Sequence, residues 1–364
     1  MRIALVHTHD GSDVRIGKMC RSLSALGHDV HFVGWDKRPQ ERKDIDLGAA
    51  TAHVLELETT HGKTTASGYR KFYAHVLGHL ARLRPRVVCA VNEDNALVLL
   101  PFKRVLYRYL VCDVFDALSD RHSEKSAMVK AAAALVATTA RWGADRLIAT
   151  DDVRFERFGR FRGKTTIIEN FPEDPGPALS RALPTGPVKI WVAGTLNRRR
   201  GLGQLIDALS LADEATVVSA GWAFDDFAKN TFLKHPRVDY RGIVTATEAL
   251  RLAAECDAVF CFYDPVSVNN RFASPNKVYD ALAVGRPVVI NAEVGLAAWV
   301  EREKLGWSVP YSDAAGLVRI LRELAQRRGT LAQEAARLRA LFEGRYAWAL
   351  MEERLEGLYE SLSD

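Results

Sequence analysis

The chain has few cysteines, and their spacing excludes two kinds of site. Five of the 364 residues are Cys, and none stands in the CxxC spacing of zinc or dithiol sites. Most lie in apolar stretches, so we expect buried, reduced thiols in a cytoplasmic protein rather than disulfides. The chain also lacks an uncharged apolar run close to the ~20 residues that span a bilayer. Met1–His7 is typical of a buried strand and not of a signal peptide.

Two motifs are missing as well, and a third is present without the other ligands it would need. No GxGxxG follows the first predicted strand, which disfavours a nicotinamide dehydrogenase. We find no nucleic-acid-binding motif and expect no nucleic-acid partner. Asp44-Ile45-Asp46 has the spacing of a manganese-binding acidic motif, but it stands in a polar stretch without further ligands. We therefore predict solvated charges there and no metal site.

The sequence does contain two runs of apolar strands that alternate with amphipathic helices, which predicts an α/β protein with two doubly wound parallel sheets. A Pro-rich stretch separates the runs, and the chain length favours two domains. We predict a Rossmann-like domain at 1–171, a linker at 172–187, a second Rossmann-like domain at 188–345 and a C-terminal helix at 346–364. Two such domains facing each other leave a cleft, and ligands bind at the carboxyl ends of the strands.

The predicted elements divide evenly between the halves. A helix over Val14–Leu26 is expected to end at Gly27. The predicted strands are Arg2–His7, Asp29–Gly34, Val87–Val91, Tyr109–Asp113, Arg146–Ala149, Thr165–Glu169, Val188–Ala193, Ala215–Ala220, Val238–Tyr240, Ala258–Phe262, Pro287–Asn291 and Trp307–Val309.

Positive charge is concentrated in the first half. Residues 1–170 hold 27 Lys and Arg against 20 Asp and Glu, whereas residues 171–364 hold 23 against 25. Aromatics are interleaved with the cations in segments 69–73 and 101–109. A basic aromatic face of this kind can contact an anionic membrane. The alternative is a solvated helix face whose aromatic rings point inward.

The segment Ala273–Val289 carries the clearest chemical signal. A turn leads into a helix that presents Lys277 and Asp280 on one face, since residues three apart share a face. The ammonium and the free N–H groups of the helix N-terminus suit a diphosphate. The carboxylate suits a pair of sugar hydroxyls, so the segment predicts a site for a nucleoside diphosphate. The alternative is a surface ion pair between the two side chains.

A second anion site is predicted after the strand Val188–Ala193. There Gly194–Gly203 supplies a glycine turn, three consecutive Arg and the start of a helix over Gln204–Leu209. Three consecutive Arg cannot all point into one site. We expect Arg200, beside Gly201, to point inward, because its guanidinium suits phosphate oxygens. A solvated basic turn is the alternative.

These motifs resemble the family-4-type glycosyltransferases of the GT-B fold, the glycosyl transferases of group 1. The resemblance extends over nearly the whole chain. It rests on the order and spacing of Asp13-Val14-Arg15, Val111-Cys112-Asp113, Ile168–Pro172, Gly194–Leu202, Asp239–Ile243 and Ser274–Val288. It implies a transferase that moves a sugar from a nucleoside-diphosphate sugar to a hydroxyl acceptor without a cofactor or a metal. It also implies that the C-terminal helix returns to the first domain.

The resemblance assigns donor binding to the second domain. It implies that Arg200 and Lys277 neutralise the diphosphate, that Asp280 holds the ribose hydroxyls and that Arg241–Ile243 flank the base. The full set of expected donor-site residues is Gly194, Thr195, Arg200, Arg241, Gly242, Ile243, Ser274, Asn276, Lys277 and Asp280.

The chain departs from the family pattern at several positions. The family signature has two glutamates on the donor loop and helix; here Asp280 takes the second position and Phe272 the first. Thr195 replaces the usual Arg after Gly194. Many retaining members have a His where this chain has Phe115, followed by Asp116. Inverting relatives such as the xanthan glucuronosyltransferase use an N-terminal carboxylate as base and a Lys on the donor helix, an arrangement that Asp116 and Lys277 resemble. Both stereochemical outcomes stay open.

An inverting reaction needs a general base beside the acceptor hydroxyl. The candidates are Asp116, Asp94 and Glu93, with His122 the weaker one, and Asp116 and Asp94 are the predicted catalytic residues. Each follows an apolar strand. Helix capping or acceptor binding is the alternative for Glu93 and Asp94. Asp116 has an alternative role as the cap of a helix near 117–127. The expected acceptor-side residues are His9, Asp10, Glu93 and His122.

The acceptor class is predicted only broadly, as a saccharide or a lipid-linked saccharide used in polysaccharide or glycolipid assembly. The protein would then act in the cytoplasm or at the inner face of the cell membrane. Two other functions stay open: a nucleotide-sugar epimerase or phosphorylase on the same fold, and a non-catalytic subunit that only binds a nucleotide sugar.

Overall fold

The computed structural model describes residues 1–40, 45–59, 65–122, 125–177, 179, 186–213, 215–271 and 273–363. The chain forms two compact units. The first contains Met1–Asn170 together with Met351–Asp364, and the second contains Phe171–Leu350. The last helix of the chain therefore belongs almost entirely to the first unit.

The first unit is built on a seven-stranded parallel sheet. In chain order its strands are β1 Arg2–Val6, β2 Asp29–Asp36, β3 Thr51–Glu56, β4 Val87–Val91, β5 Tyr109–Val114, β6 Arg146–Ala149 and β7 Thr165–Ile167. Their spatial order is β3-β2-β1-β4-β5-β6-β7. The helices are α1 Val14–Ala25, α2 Ala66–Leu83, α3 Glu93–Leu99, α4 Leu118–Arg121, α5 Ala127–Gly143 and α6 Asp152–Arg157.

The second unit repeats this design with six parallel strands. They are β8 Val188–Leu196, β9 Ala215–Ala223, β10 Val238–Tyr240, β11 Ala258–Cys261, β12 Val288–Asn291 and β13 Gly306–Val309. Their spatial order is β10-β9-β8-β11-β12-β13. The helices are α7 Leu202–Leu211, α8 Ala246–Ala254, α9 Val268–Arg271, α10 Asn276–Ala283, α11 Ala297–Arg302, α12 Ala314–Gln326 and α13 Leu331–Arg345; α14 Ala349–Glu360 then enters the first unit.

Strand residues of the second sheet alternate between two apolar cores, one on each face. Ile190 and Val192 belong to one core, and Trp191 between them belongs to the other. Helices cover both faces of this sheet. Its strands are therefore buried on both sides and carry apolar residues in both directions. The predicted doubly wound parallel architecture is confirmed.

All twelve predicted strands are present, and one further strand among the described residues was missed. Strand β3 lies at the edge of the first sheet, where most of its residues are exposed or half-buried. An edge strand of this kind shows no strong apolar pattern in the sequence. The predicted helix after Asp13 is confirmed at Val14–Ala25, and Gly27 takes the left-handed conformation (φ 78°) that follows a helix end.

The sequence also predicts one long helical stretch over Leu331–Leu362, which the structure divides in two. Helix α13 ends at Arg345 and α14 begins at Ala349. Within the first unit, Ser22 Oγ on α1 donates a 2.7 Å hydrogen bond to Glu352, and Tyr359 is fully buried. The five cysteines are free and buried, as predicted. In the described part of the chain, no helix has the length and apolar character needed to cross a membrane.

Candidate functional site

Two elements of the second unit meet at Gly194. The sequence predicted a turn there, but β8 continues through Gly194 to Leu196 because it pairs with β9 along its whole length. Gly194 has φ 95°, and a Cβ at this position would lie 3.2 Å from Lys277 Nζ. The ammonium of Lys277, from the first turn of α10, therefore lies directly over the backbone of Gly194.

Arg200 reaches the same place from the turn that follows β8. A short helical turn, Arg198–Arg200, ends at Gly201, whose φ is 70°. A Cβ on Gly201 would lie only 2.6 Å from Phe262 Cβ, so only glycine lets the turn approach β11 this closely. The guanidinium carbon of Arg200 lies 3.8 Å from the ring centre of Tyr263, and Lys277 Nζ lies 5.9 Å from the same ring.

The arrangement leaves polar atoms buried without partners. Within the described ranges, Arg200 Nη1 and Asn197 Oδ1 are buried and make no hydrogen bond. A buried polar group of this kind costs about 1–3 kcal/mol unless something binds it. Two cations and an unsatisfied guanidinium N–H around one ring form a site suited to an anion.

Tyr263, which the sequence did not single out, is the floor of this site. It follows β11, and Asn291 at the end of β12 holds its backbone. The Tyr263 N–H donates to Asn291 Oδ1 (2.7 Å), and Asn291 Nδ2 donates to the Tyr263 carbonyl (3.1 Å). Asn291 is fully buried. A polar residue at the end of a buried strand is the one signal that would have pointed to it.

The two cations also act on a buried thiol beneath them. Burial raises the pKa of Cys261 to about 11, whereas the charges of Lys277 and Arg200 lower it and Asp280 raises it. All three charged groups therefore lie close to the end of β11. The ion pairs among the described residues do not include one between Lys277 and Asp280. The surface ion pair considered as an alternative is thus not formed.

Helix α10 begins with an open N-terminus. Its cap is Pro275, which makes no side-chain hydrogen bond to the helix, and Asn276 is exposed. Ser274 Oγ lies 3.3 Å from the hydroxyl of the buried Tyr279. Asp280 lies one turn after Lys277 and is half-buried. Phe272, the position of the first family glutamate, lies outside the described residues.

The predicted base-flanking segment has a different character from the cation site. The Arg241 side chain forms an ion pair with Asp239, and Ile243 is 76% exposed. Gly242 accepts a 2.8 Å hydrogen bond from the Gly221 N–H across the sheet edge. Trp222 and Phe224, at the end of β9, expose aromatic rings in an edge-to-face pair 5.2 Å apart. These two rings, which the sequence did not single out, offer a flat apolar surface.

In the first unit, Asn92 joins the ends of two strands. It has φ 67°, which is unusual for a residue other than glycine. Its Oδ1 accepts hydrogen bonds from the N–H groups of Phe115 (2.9 Å) and Asp116 (3.1 Å). Asp116 is thereby held at the end of β5 with its side chain 53% exposed, 3.7 Å from Arg154. The helix that follows is capped by Ala117, so Asp116 is not the helix cap considered as an alternative.

Ionisable side chains also surround His7, the residue that follows β1 in the first unit. Burial, followed by the nearby His9, lowers the pKa of His7 to about 4, whereas Asp94 opposes the shift. His9 Nδ1 lies 2.7 Å from the buried carboxylate of Asp10. Burial also lowers the pKa of Lys37, against the pull of Asp94 and Asp10. His9, Asp10 and Asp94 are therefore brought together, with His7 and Lys37 as neighbours that were not among the predicted site residues.

Two predicted acceptor-side residues have other roles in the structure. Glu93 is fully buried, where it pairs with Arg141 and accepts a 2.9 Å hydrogen bond from the Leu118 N–H. Each of its oxygens therefore already has a partner within the first unit. His122 Nδ1 donates to the Leu118 carbonyl (2.9 Å), which holds its ring on α4.

The acidic motif at 44–46 is only partly described. Asp44 lies outside the described residues. Asp46 forms a 2.8 Å ion pair with Arg21 and accepts the Gly48 N–H. Across the described ranges, no group of three or more His, Cys, Asp or Glu is arranged to hold a metal ion.

Two family models match the chain, one in each half. A glycosyl transferase 4-like domain matches residues 10–170, and glycosyl transferases group 1 match residues 187–327. No curated protein is similar enough in sequence to count as a match.

Solved structures are similar over the full length. Sucrose-phosphate synthase from Thermosynechococcus elongatus has a TM-score of 0.76 at 16% identity, covering 100% of this chain and 99% of that one. Anabaena HepE in complex with UDP-glucose has a TM-score of 0.70 at 16% identity, covering 99% and 100%. WaaG, a glycosyltransferase involved in lipopolysaccharide biosynthesis, has a TM-score of 0.65 at 14% identity, covering 98% and 99%.

Proposed function

The chain belongs to the family-4, group 1 type of glycosyltransferases with the GT-B fold, and on this basis we propose that it moves a sugar from a nucleoside-diphosphate sugar to a hydroxyl acceptor. The observation that supports the donor class best is the meeting of Lys277 and Arg200 around Tyr263. A diphosphate would satisfy the buried Arg200 N–H and neutralise both cations.

The donor would extend from this site in two directions. Asp280 would bind the ribose hydroxyls, since it lies on the same helix face as Lys277. Trp222 and Phe224 would offer stacking surface to the base beside Gly242. Ser274, Asn276 and Thr195 would contribute backbone or hydroxyl contacts.

The chemical step would place charge where the second unit can stabilise it. The acceptor oxygen attacks the anomeric carbon and the bond from that carbon to the diphosphate oxygen breaks. The diphosphate leaves with the bonding electron pair, which Lys277 and Arg200 stabilise. The acceptor proton passes to a general base, for which we propose Asp116 because its half-exposed carboxylate is held at the end of β5. Asp94 is the second choice, since Arg121 pairs with it at 3.2 Å.

We propose that the two side-chain cations take the place of a metal ion in this step. Transfer should then continue in EDTA at the same rate as in untreated protein. Loss of activity that manganese restores would contradict this part of the proposal.

The acceptor is proposed to be a growing polysaccharide or glycolipid at the inner face of the cell membrane. The support is the excess of positive charge in residues 1–170. Segment 69–73 contributes less than expected, since Phe72 is fully buried and stacks on Trp35 at 5.5 Å. Cell fractionation checks the location: a membrane-bound fraction that high salt releases supports it, and full recovery in the cytosol at low salt contradicts it.

The function itself is tested with a panel of nucleoside-diphosphate sugars, each incubated with and without saccharide acceptors. Release of nucleoside diphosphate that depends on an acceptor, with a new glycoside formed, supports the transferase. Turnover of the donor without an acceptor would indicate an epimerase or phosphorylase instead. Tight binding with no turnover would indicate a binding subunit.

A further inference from the structure

A cavity of 710 Å³ opens in the first unit, at the end of the sheet where β4, β5 and β6 begin. Residues 84–86, 103–109 and Asp145 line it, and each segment leads directly into one of these strands. The candidate base at Asp116 lies at the other end of β5. At ~3.3 Å per residue, a six-residue strand separates the two places by about 20 Å.

The lining is strongly basic. Five cations face a single acidic residue: Arg84, Arg86, Lys103, Arg104 and Arg108 against Asp145. Asp145 is already engaged, because it pairs with Lys103 at 2.7 Å and accepts the Leu110 N–H at 2.7 Å. Among the ion pairs found in the described ranges, none includes one of the four arginines.

One of these arginines has a buried, unsatisfied group. Arg86 Nε donates to the Leu362 carbonyl (2.9 Å), but its Nη2 is buried and makes no hydrogen bond in the part of the chain that is described. Arg86 and Arg108 lie 5.7 and 5.0 Å from the ring centre of Tyr109. Both guanidinium groups therefore lie beside the same ring.

The backbone of the cavity is strained at two of the same residues. Four residues other than glycine have a positive φ in the described chain, and two of them are Arg84 (φ 45°), which ends α2 in the left-handed conformation common at helix ends, and Arg104 (φ 69°). Such conformations are unfavourable for residues with a Cβ and cluster at functional sites. Nothing in the backbone requires arginine there, because glycine or asparagine would fit with less strain.

We propose that this cavity is a second anion site, which binds a phosphate group supplied either as free phosphate or by a lipid headgroup. Arginine forks suit phosphate oxygens, and the bound group would satisfy Arg86 Nη2. The site lies in the first unit and does not depend on the transferase activity proposed for the protein.

The test compares two double variants that each remove two cations from the first unit. Arg104→Gly with Arg108→Ala changes the cavity, and the glycine also relieves the strained backbone, so folding should be retained. Lys125→Ala with Lys130→Ala removes two exposed cations at the start of α5, outside the cavity and outside both basic aromatic segments. Both are made in a full-length Arg200→Ala, Lys277→Ala background, so that the donor site does not contribute phosphate binding. Arg108→Ala alone serves if the cavity double variant does not fold.

Two assays are run at matched ionic strength: calorimetric titration with inorganic phosphate, and co-sedimentation with phosphatidylglycerol–phosphatidylcholine vesicles. We expect binding in at least one assay, weakened about tenfold or more by the cavity variant and unchanged by the α5 variant. Loss in the phosphate assay alone identifies free phosphate, and loss in the vesicle assay alone identifies a headgroup. The proposal is overturned if the parent binds neither probe, or if the two double variants behave alike.

Discussion

Removal of Lys277 or Arg200 tests the donor site most directly. The ammonium of Lys277 lies over Gly194, and the Arg200 guanidinium lies 3.8 Å from the Tyr263 ring with a buried N–H that has no partner among the described residues. Each would make a charge-assisted contact to a diphosphate, worth about 1.5–3 kcal/mol. Lys277→Ala and Arg200→Ala should therefore each weaken binding of a nucleoside diphosphate by roughly 10- to 150-fold.

The bare nucleoside separates this role from a structural one. It lacks the phosphates, so its affinity should be nearly the same in wild type and in both variants. Neither cation has a carboxylate partner in the described ranges. The free energy of unfolding of each variant, measured in urea without ligand, should therefore be equal to that of wild type or slightly higher. Arg302→Ala, an exposed cation on α11, is the matched control and should keep full affinity.

Isothermal titration with the diphosphate and the nucleoside measures these affinities. A diphosphate affinity equal to that of wild type in both variants would contradict the assignment of these cations to the donor site. An equal loss of affinity for the bare nucleoside would contradict it as well. The two residues would then maintain the folded shape of the pocket and would not act through the charge of the ligand.

Three further outcomes are expected. Asp116→Asn should abolish transfer while leaving the donor dissociation constant unchanged, and a rate close to wild type would remove Asp116 from the catalytic step. Burial raises the pKa of Glu169 from 4.5 to about 7, so the folded protein binds this proton more tightly than the unfolded chain does, and stability should fall by up to about 3 kcal/mol as the pH rises from 5 to 8. Glu169→Gln should remove this fall in urea unfolding, and an identical pH dependence in both proteins would contradict the assignment. Glu93→Gln should lower the free energy of unfolding by about 3 kcal/mol or more, since it leaves Arg141 without its buried partner. A change in acceptor KM without a loss of stability would return Glu93 to the acceptor side.

The spacing of residues within one element was a reliable guide. Lys277 and Asp280 were placed on one helix face from their separation alone, and the helix is present at Asn276–Ala283. Gly201 and Arg200 were paired as a turn and an inward cation, and the turn has this form. These predictions hold because helix periodicity and glycine conformation depend on local geometry.

The sequence could not show which of two neighbouring residues on a helix is buried and which is exposed. Glu93 and Asp94 begin the same helix after β4, yet Glu93 is fully buried against Arg141 and Asp94 is partly exposed near His7. Successive residues on a helix point about 100° apart, so one faced the core and the other did not. Which of them did so was decided by α5, the helix that carries Arg141 from 48 residues away.

By itself, the sequence determined the two parallel doubly wound sheets, the strands of their interiors and the family, because buried strands, turns and motif order are written along the chain. Only the tertiary structure decided which side chains meet. Segments far apart in sequence form the contacts of Tyr263 with Arg200 and with Asn291. They also form the cavity that four arginines line beside Tyr109. Parallel strands bring their ends together at one edge of a sheet, so contacts between different strand ends depend on the order and register of the strands and not on any local pattern.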